Sequence, residues 1–583
     1  MAQTKLGPDI AEQRHIEVAH TLAKSQRDIG VAEFFAKNRH LLGFDNKRKS
    51  LLTTVKEAVD NSLDAAEEAG ILPEISVEII DMQNERFRII IEDNGPGIVK
   101  KQVPKIFAKL LYGSKFHKLS QSRGQQGIGI SASVMYAQLT TGRPAKIISK
   151  IGKDNPAEYF ELEIDTKRNA PRIIKENQVG WAKNHGTRIE LDIEAGYMKG
   201  SQSVDEYLKQ TAIVNPHATI IYTSPKAEQF IFARATEKHP AKPKEIKPHP
   251  YGIELGVLLD MCKDTPAKTL QQFLTTEFSR VGPGTAKEIC KNAALMPNVK
   301  PKQVNREIAE KLFHGIKKTK IISPPTDCIS PIGADLLEKG LKKEIKAEFY
   351  AAVSRSPSVY RGNPFSVEAA IAYGGEQPKD HSINLLRFAN RVPLLYQQGA
   401  CAVSKSIMGT SWRSYGLSQS HGALPVGPCT VVVHIASVWV PFTSESKEAI
   451  AHYPEIIKEV KLALQEVGRK LGSYVSKKKR VGDELKKRSY IEKYIPHVAN
   501  ALKQLLDLTQ ADEQRTEKEL RDLLEKKRGK IESVEHENTE YDAEFAKIGK
   551  EVKETNEEEE TEAGNEEVDS KIKNEETQKK LGE

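Results

Sequence analysis

The chain has 583 residues, of which 38% are hydrophobic and 29% charged, and its formal net charge is +8. This length predicts three or four domains, each large enough to bury a core. No apolar run approaches the ~18 residues of a membrane span, and the N-terminus has no apolar signal-type core, so we expect a cytoplasmic protein. The five cysteines stand far apart without a Cys-x-x-Cys pair, which argues against zinc and disulfide frameworks.

The positive charge is unevenly distributed. Residues 531–583 contain 19 Asp and Glu but 7 Lys and Arg, so residues 1–530 carry a net charge of +20. The C-terminal segment is rich in glutamate and low in complexity, which predicts a disordered acidic tail over residues 531–583. A body of +20 favours a polyanionic partner, most simply nucleic acid, although solubility alone also accounts for such charge.

Helix and strand signals alternate over the first 235 residues. A helix is predicted for residues 50–68, since its apolar residues fall on one face. Further elements are predicted in chain order as strands 75–80 and 87–92, a Gly-rich loop at 124–129, a helix at 130–139, and strands 145–150, 158–164 and 187–193. This alternation predicts an α/β layered domain over residues 1–235.

Two further folded regions follow a linker rich in proline and lysine. Residues 250–318 read as a helical domain, interrupted by the Val-Gly-Pro-Gly-Thr sequence at 281–285. Residues 319–475 read as an α/β domain with strands at 365–372, 382–390 and 430–440, followed by a long helix that begins near Ser446. A charged helical extension is expected over residues 476–530, with a kink or break at Pro496.

Four separated segments of the first domain carry side chains suited to a nucleotide. Glu57 and Asn61 lie four residues apart on one helix face, where a carboxylate can orient water and an amide oxygen can ligate Mg²⁺. Asp93 ends a strand and can accept a hydrogen bond from an adenine amine, and Gly97 in Asp-Asn-Gly-Pro-Gly lets a base approach the backbone. Taken singly, such residues are more often a solvated helix face or a simple turn.

The third segment is a Gly-rich loop entering a helix, whose free N–H groups and helix dipole suit a phosphate chain. It comprises Arg123, Gly124, Gln125, Gln126, Gly127, Ile128, Gly129 and Ile130. Upstream, Ser114 and Lys115 add a hydroxyl and a cation, and Thr187 in the fourth segment can place a hydroxyl near the base. No Gly-x-x-x-x-Gly-Lys motif occurs, so P-loop chemistry is excluded.

In this order the four segments resemble those of the GHKL ATPase superfamily, which includes gyrase B, MutL, heat-shock chaperones and histidine kinases. The resemblance implies a Bergerat fold, an α/β sandwich that binds ATP. It also implies Glu57 as general base, Asn61 as a ligand of Mg²⁺, Asp93 as the adenine ligand, and residues 124–129 as a lid over ATP.

The sequence beyond residue 230 narrows this resemblance. A histidine kinase needs a phosphoacceptor helix before Asn61, and a gyrase B chain needs an Asp-x-Asp pair, which this chain lacks. The sequence Trp-Val-Pro-Phe-Thr-Ser-Glu-Ser-Lys-Glu-Ala-Ile at 439–450 closes a predicted strand and opens a predicted helix. Lysine is unfavourable at a helix N-terminus, so Lys447 suggests a polyphosphate opposite it, with a solvated lysine as the alternative.

Together with the Gly-Pro-Gly-Thr segment, these motifs resemble the B subunits of archaeal type IIB topoisomerases (topoisomerase VI) over about residues 1–475. The resemblance implies a helix-two-turn-helix (H2TH) insertion, a transducer domain, and Lys447 as a switch lysine that reaches the γ-phosphate. It implies B–B dimerisation around duplex DNA on ATP binding, cleavage by a partner A subunit, an A2B2 assembly, and no membrane association. A MutL-type repair ATPase and a chaperone clamp are the alternatives.

Direct DNA contacts stay open at two places. The glycine turn at 282–284 can meet a phosphate or simply join two helices. The basic residues at 477–480 and 486–488 can contact the duplex backbone or form a solvated helix face.

Overall fold

The structure is a computed structural model that describes residues 8–116, 118–124 and 127–528. Backbone contacts divide the described residues into two compact units, one that ends at Gly472 and one that begins at Ser473. The predicted acidic tail at 531–583 lies outside the described residues. None of the described helices is long and apolar enough to span a bilayer.

An eight-stranded sheet forms the centre of the N-terminal region. Its strands are β1 (Glu74–Asp81), β2 (Arg86–Glu92), β3 (Ala145–Lys150), β4 (Ala157–Asp165), β5 (Ala170–Val179), β6 (Gly186–Glu194), β7 (Thr219–Thr223) and β8 (Gln229–Phe232). They are ordered β5-β4-β3-β6-β2-β1-β7-β8, and β1 and β7 form the parallel pair. More and less buried residues alternate along β1, β3 and β6, as expected for a sheet with one face on a core.

Five of the described helices pack into the core of this region. They are α2 (Val31–Lys37), α3 (Lys47–Ala69), α4 (Val103–Ala108), α5 (Gly129–Thr141) and α6 (Val204–Val214). The N-terminal helix α1 (Pro8–Ser25) is exposed over residues 16–25. Leu51, Val55 and Val59 of α3 share one core with Ile75 and Val77 of β1. The predicted α/β sandwich is confirmed, with its predicted elements placed to within three residues. Strand β5 was not predicted, because most of its residues are exposed and show no alternation.

A group of helices with its own hydrophobic core follows the linker. It contains α7 (Leu255–Asp264), α8 (Leu270–Glu277), α9 (Pro283–Asn292) and α10 (Arg306–Lys318). Gly282 is the N-cap of α9 and Pro283 its first residue, a position where the missing proline N–H costs nothing. That these helices form an H2TH domain stays a prediction.

A second sheet lies within residues 334–437. Its elements are α11 (Ala334–Glu344), β9 (Phe349–Ser354), β10 (Ser358–Tyr360), β11 (Asn363–Tyr373), β12 (Asn384–Ala389), β13 (Val392–Pro393), α12 (Ala402–Met408) and β14 (Cys429–Ser437). The strand order is β10-β11-β14-β12-β13, with β9 also paired to β11. Every residue of β14 is buried, and most of its sequence is apolar, as expected for a strand covered on both faces.

The long helix differs from the prediction at its start and at Pro496. It is α13 (Pro454–Leu506), and α14 (Gln510–Arg528) follows it. The predicted start near Ser446 is wrong, because residues 444–453 form a loop and Pro454 opens the helix. A break at Pro496 is also wrong, because the helix continues through this residue to Leu506. A kink at Pro496 stays a prediction.

Candidate functional site

A cavity of about 650 Å³ lies between α3, the strands β2 and β6, and the loop that leads into α5. Its volume suits a cofactor-sized ligand. Thirteen predicted site residues line it: Glu57, Asn61, Asp93, Gly97, Ser114, Lys115, Gly124, Gly127, Ile128, Gly129, Ile130, Thr187 and Lys447. Of the remaining predicted residues, Arg123 does not line this cavity, and Gln125 and Gln126 lie outside the described residues.

The Asp93 carboxylate is fixed by three hydrogen bonds. Its Oδ1 accepts from the N–H groups of Gly95 at 2.8 Å and Thr187 at 3.1 Å, and its Oδ2 accepts from the Ser62 hydroxyl at 2.9 Å. The residue is buried, and burial raises the pKa of its carboxyl group above the usual value. Each carboxylate oxygen can accept two hydrogen bonds, so Oδ2 can still accept from an amine in the cavity.

Gly97 provides the close backbone approach beside Asp93. Its φ of +73° lies in the left-handed region, and a Cβ at this position would be 2.0 Å from the carbonyl oxygen of Lys150. A residue with a side chain therefore cannot occupy this turn without moving β3.

Glu57 packs against the start of α5. A Cβ on Gly129, the first residue of that helix, would lie 1.6 Å from Oε2 of Glu57. The absence of a side chain at Gly129 therefore leaves space for the carboxylate at the helix N-terminus. The positive end of a helix dipole stabilises an anion there.

The Asn61 amide lies one helical turn beyond Glu57 and close to the glycine loop. A Cβ on Gly124 would be 3.5 Å from Asn61 Oδ1. Asn61 is exposed to the cavity, and no hydrogen bond of its amide is found within residues 16–116, 118–124 and 127–527. An available neutral amide oxygen beside a carboxylate matches the oxygen ligands that Mg²⁺ prefers, so the donor set fits this ion.

Lys115 and Arg123 are anchored to α3. Lys115 Nζ lies 2.6 Å from Oδ2 of Asp64, whose Oδ1 accepts from Arg123 at 2.8 Å. Arg123 also donates to Glu67 at 2.6 Å and to Asn215. Burial alone would raise the pKa of the Asp64 and Glu67 carboxyls, but the neighbouring cations outweigh it and hold both below their usual values.

Of these two cations, Lys115 lines the 650 Å³ cavity as expected, whereas Arg123 does not. Arg123 is 7% exposed, and its two terminal guanidinium nitrogens donate to acidic and amide side chains, so it ties the loop to α3 rather than facing the cavity. Lys115 lines the cavity but is paired with Asp64 and with Glu68 at 3.2 Å.

Lys447 reaches the cavity from the loop before α13. Its Nζ lies 3.4 Å from the carbonyl oxygen of Arg123, and its backbone has φ of +53°. Burial lowers the pKa of its ammonium group below the usual value. Lys447 and Glu57 also line a second cavity of about 20 Å³, which is large enough for a single water molecule.

Several residues of the site were missed by the sequence analysis. Ser62 donates a hydrogen bond to Asp93, and Asp64 pairs with Lys115 and Arg123. Ser62 and Asp64 follow Asn61 on α3, but a serine and an aspartate on a helix do not by themselves indicate a nucleotide site. Lys49 and Tyr396 also line the cavity, with Nζ 5.3 Å from the ring centroid. These two residues are far apart in sequence, so no local pattern could have paired them.

Two protein-family models match the chain. Residues 46–193 match the histidine kinase-, DNA gyrase B-, and HSP90-like ATPase model. Residues 324–487 match the model of the transducer of the topoisomerase VI B subunit. The first range contains all the predicted site residues except Lys447, which lies in the second.

Curated relatives resemble the chain over most of its length. The B subunit of type 2 DNA topoisomerase 6 from Methanococcoides burtonii is 54% identical, over 84% of this chain and 79% of that protein. The protein of the same name from Archaeoglobus fulgidus is 48% identical, over 83% and 81%. That of Natronomonas pharaonis is 37% identical, over 84% of each chain.

Proposed function

Because the chain belongs to the family of type 2 DNA topoisomerase 6 B subunits, the ATP-driven subunits of a type II topoisomerase, we propose that its cavity binds ATP with Mg²⁺. The observation that supports this best is the convergence of thirteen residues, taken from four sequence segments and one distant loop, on one cavity.

The bound nucleotide is oriented by groups at both ends. Asp93, fixed by Ser62 and Thr187, accepts a hydrogen bond from the adenine amine. The glycine loop and the N-terminus of α5 supply N–H groups to the phosphates. Asn61 holds Mg²⁺, which neutralises part of the phosphate charge when bound.

Hydrolysis follows from the position of Glu57. Its carboxylate takes a proton from a water molecule whose oxygen bonds to the γ-phosphorus, while the bond from that phosphorus to the β,γ-bridging oxygen breaks. The products are ADP and phosphate. Lys447 donates to the γ-phosphate, because its ammonium group is buried at the same end of the cavity and gains a counter-charge there.

The macromolecular substrate that we propose is duplex DNA. The net charge of +20 on residues 1–530 favours it, and ATP-driven dimerisation of two such chains can trap a duplex. DNA cleavage requires a tyrosine nucleophile and an acidic metal site, and the sequence lacks an Asp-x-Asp pair. We therefore infer a partner A subunit, an A2B2 assembly, and action on nucleoid DNA in the cytoplasm.

The direct test is relaxation of supercoiled plasmid by the purified chain together with its A subunit. Relaxation is expected with ATP and Mg²⁺ and should disappear when either protein, ATP or Mg²⁺ is left out. ATP turnover stimulated by unfolded proteins but not by DNA would favour a chaperone and contradict this proposal.

A further inference from the structure

Three consecutive residues before the glycine loop contact three different segments of the transducer region, which we define as residues 324–487. The side chain of Gln121 accepts from Ser330 N–H at 2.6 Å and donates to Ser330 carbonyl oxygen at 3.2 Å. The carbonyl oxygen of Ser122 accepts from Asn390 Nδ2 at 3.1 Å. The carbonyl oxygen of Arg123 is the group that Lys447 approaches. Residues 121–123, which we term the lid anchor, thus contact the transducer region at three points.

The Asn390 contact comes from a strained turn. Asn390 and Arg391 join β12 to β13 with φ of +49° and +66°, a conformation in which glycine is usual at the second position. Arginine is disfavoured there, because its Cβ crowds the backbone in the left-handed region. Strained residues persist where surrounding contacts over-determine them, and such residues concentrate at switch regions.

The contacts of Asn390 join the lid anchor to the second sheet. Its Nδ2 donates both to Ser122 carbonyl oxygen and to Ser437 carbonyl oxygen, the latter at 2.9 Å. Its Oδ1 accepts from Ser437 N–H at 2.9 Å. Ser437 ends β14, the strand that leads directly into the loop of Lys447. One side-chain amide therefore fixes the distance between the nucleotide lid and the end of β14.

Arg391 adds a parallel connection. Its guanidinium donates to the hydroxyl and carbonyl oxygens of Ser330 at 3.0 and 3.1 Å, the same Ser330 that Gln121 binds. It also lies 3.8 Å from Glu67, the partner of Arg123. Both residues of the turn are buried, so water does not compete for these bonds.

We propose that the turn formed by Asn390 and Arg391 is a second coupling element between ATP and the transducer, in addition to Lys447. The proposal rests on the proposed ATP site. Asn390 is a positioning residue: it does not line the 650 Å³ cavity but carries displacement of the lid anchor to β14. When the lid rearranges around nucleotide, Ser122 moves with the anchor, and Asn390 transmits this movement to Ser437 and to the strand that leads to Lys447.

The test is the number of supercoils relaxed per ATP hydrolysed, measured with the holoenzyme. In Asn390→Ala, nucleotide affinity and the ATP turnover rate should stay within about twofold, whereas supercoils relaxed per ATP should fall about tenfold, a size typical of allosteric coupling. Gln121→Ala, which removes the Ser330 contacts without touching the turn, should lower the same ratio. If Asn390→Ala does not fold, the ratio measured for Gln121→Ala tests the coupling role instead.

Asn169→Ala is the matched control. Asn169 also has positive φ, at +49°, and its amide also binds a loop backbone, that of Leu110, but among the described residues it makes no hydrogen bond to the lid anchor or to the transducer region. It should lose comparable stability and keep the wild-type ratio. An unchanged ratio in Asn390→Ala or Gln121→Ala, or an equal loss in Asn169→Ala, would overturn the coupling role. Failure of the wild-type chain to bind ATP would instead refute the proposed function.

Discussion

Oε2 of Glu57 occupies the space that a side chain on Gly129 would need, since a Cβ built there would lie 1.6 Å from this oxygen. The carboxylate on α3 and the N-terminus of α5 therefore fit together only when residue 129 is glycine. This contact joins two of the sequence motifs directly.

Gly129→Ala should displace the Glu57 carboxylate and lower the ATP turnover rate about 100-fold. Nucleotide binding should fall much less, because the substitution keeps the backbone N–H of residue 129 and leaves Asp93 untouched. ATP hydrolysis and binding of a fluorescent nucleotide measure the two effects. Gly256→Ala in α7 is the control, because a Cβ there meets no atom within 4 Å. A Gly129→Ala variant with wild-type turnover would show that Glu57 does not need this position.

Glu57→Ala should abolish hydrolysis and leave ATP binding largely intact. A positioned general base typically contributes about 10²- to 10⁴-fold, so the turnover rate should fall within that range. Isothermal titration with a non-hydrolysable analogue measures binding. Loss of binding together with hydrolysis would mean that Glu57 holds the nucleotide rather than activating water.

Ser62→Ala should weaken ATP binding about fivefold, because removing one hydrogen bond from the Asp93 carboxylate costs about 1 kcal/mol. The preference for ATP over GTP should fall as well, since the carboxylate is then less firmly oriented toward the adenine amine. Competition binding with both nucleotides measures this. If neither the affinity for ATP nor the preference over GTP changes, Ser62 does not orient the Asp93 carboxylate, and the assignment of Asp93 as the adenine ligand is weakened.

Lys447→Ala should uncouple ATP hydrolysis from DNA relaxation. The buried ammonium carries a pKa lowered by desolvation, and a bound γ-phosphate should raise it again. Plasmid relaxation is therefore expected to fall at least about tenfold, with nucleotide affinity reduced less. Lys461, on α13, can be replaced by alanine as a control. Identical rates of hydrolysis and relaxation in Lys447→Ala and wild type would contradict the switch role.

Glu368→Gln should destabilise the second sheet in a pH-dependent way. Glu368 is fully buried; burial alone would raise its pKa, but hydrogen bonds from His434, Ser354 and the backbone lower it from 4.5 to about 2. A depressed pKa stabilises the fold above the unfolded value of 4.5, and this contribution is lost as the pH falls toward 2.

At pH 7, Glu368→Gln should therefore lower the free energy of unfolding by about 3 kcal/mol. The difference from wild type should shrink steadily between about pH 4.5 and 2. Urea unfolding followed by tryptophan fluorescence measures it. A difference that stays constant with pH would indicate lost packing rather than a lost ionised carboxylate.

Much of the nucleotide site could be predicted because its chemistry is local. Glu57 and Asn61 need only a helix to share a face, and the glycine loop signals itself by composition before an apolar helix. The helix start near Ser446 could not be placed correctly, since polar residues such as Ser444 and Glu445 suit a loop as well as a first turn. Proline at 454 was the stronger signal, because it favours the first position of a helix.

The sequence by itself determined the α/β sandwich and the segments that line the cavity, because periodicity and turn chemistry act over a few residues. The tertiary structure alone decided that Arg123 binds Asp64 and Glu67, and that Asn390 binds Ser122 across 268 residues of chain. Such contacts depend on which buried groups still lack a partner once the sheets have packed. That condition is set by the whole fold and by no single stretch of sequence.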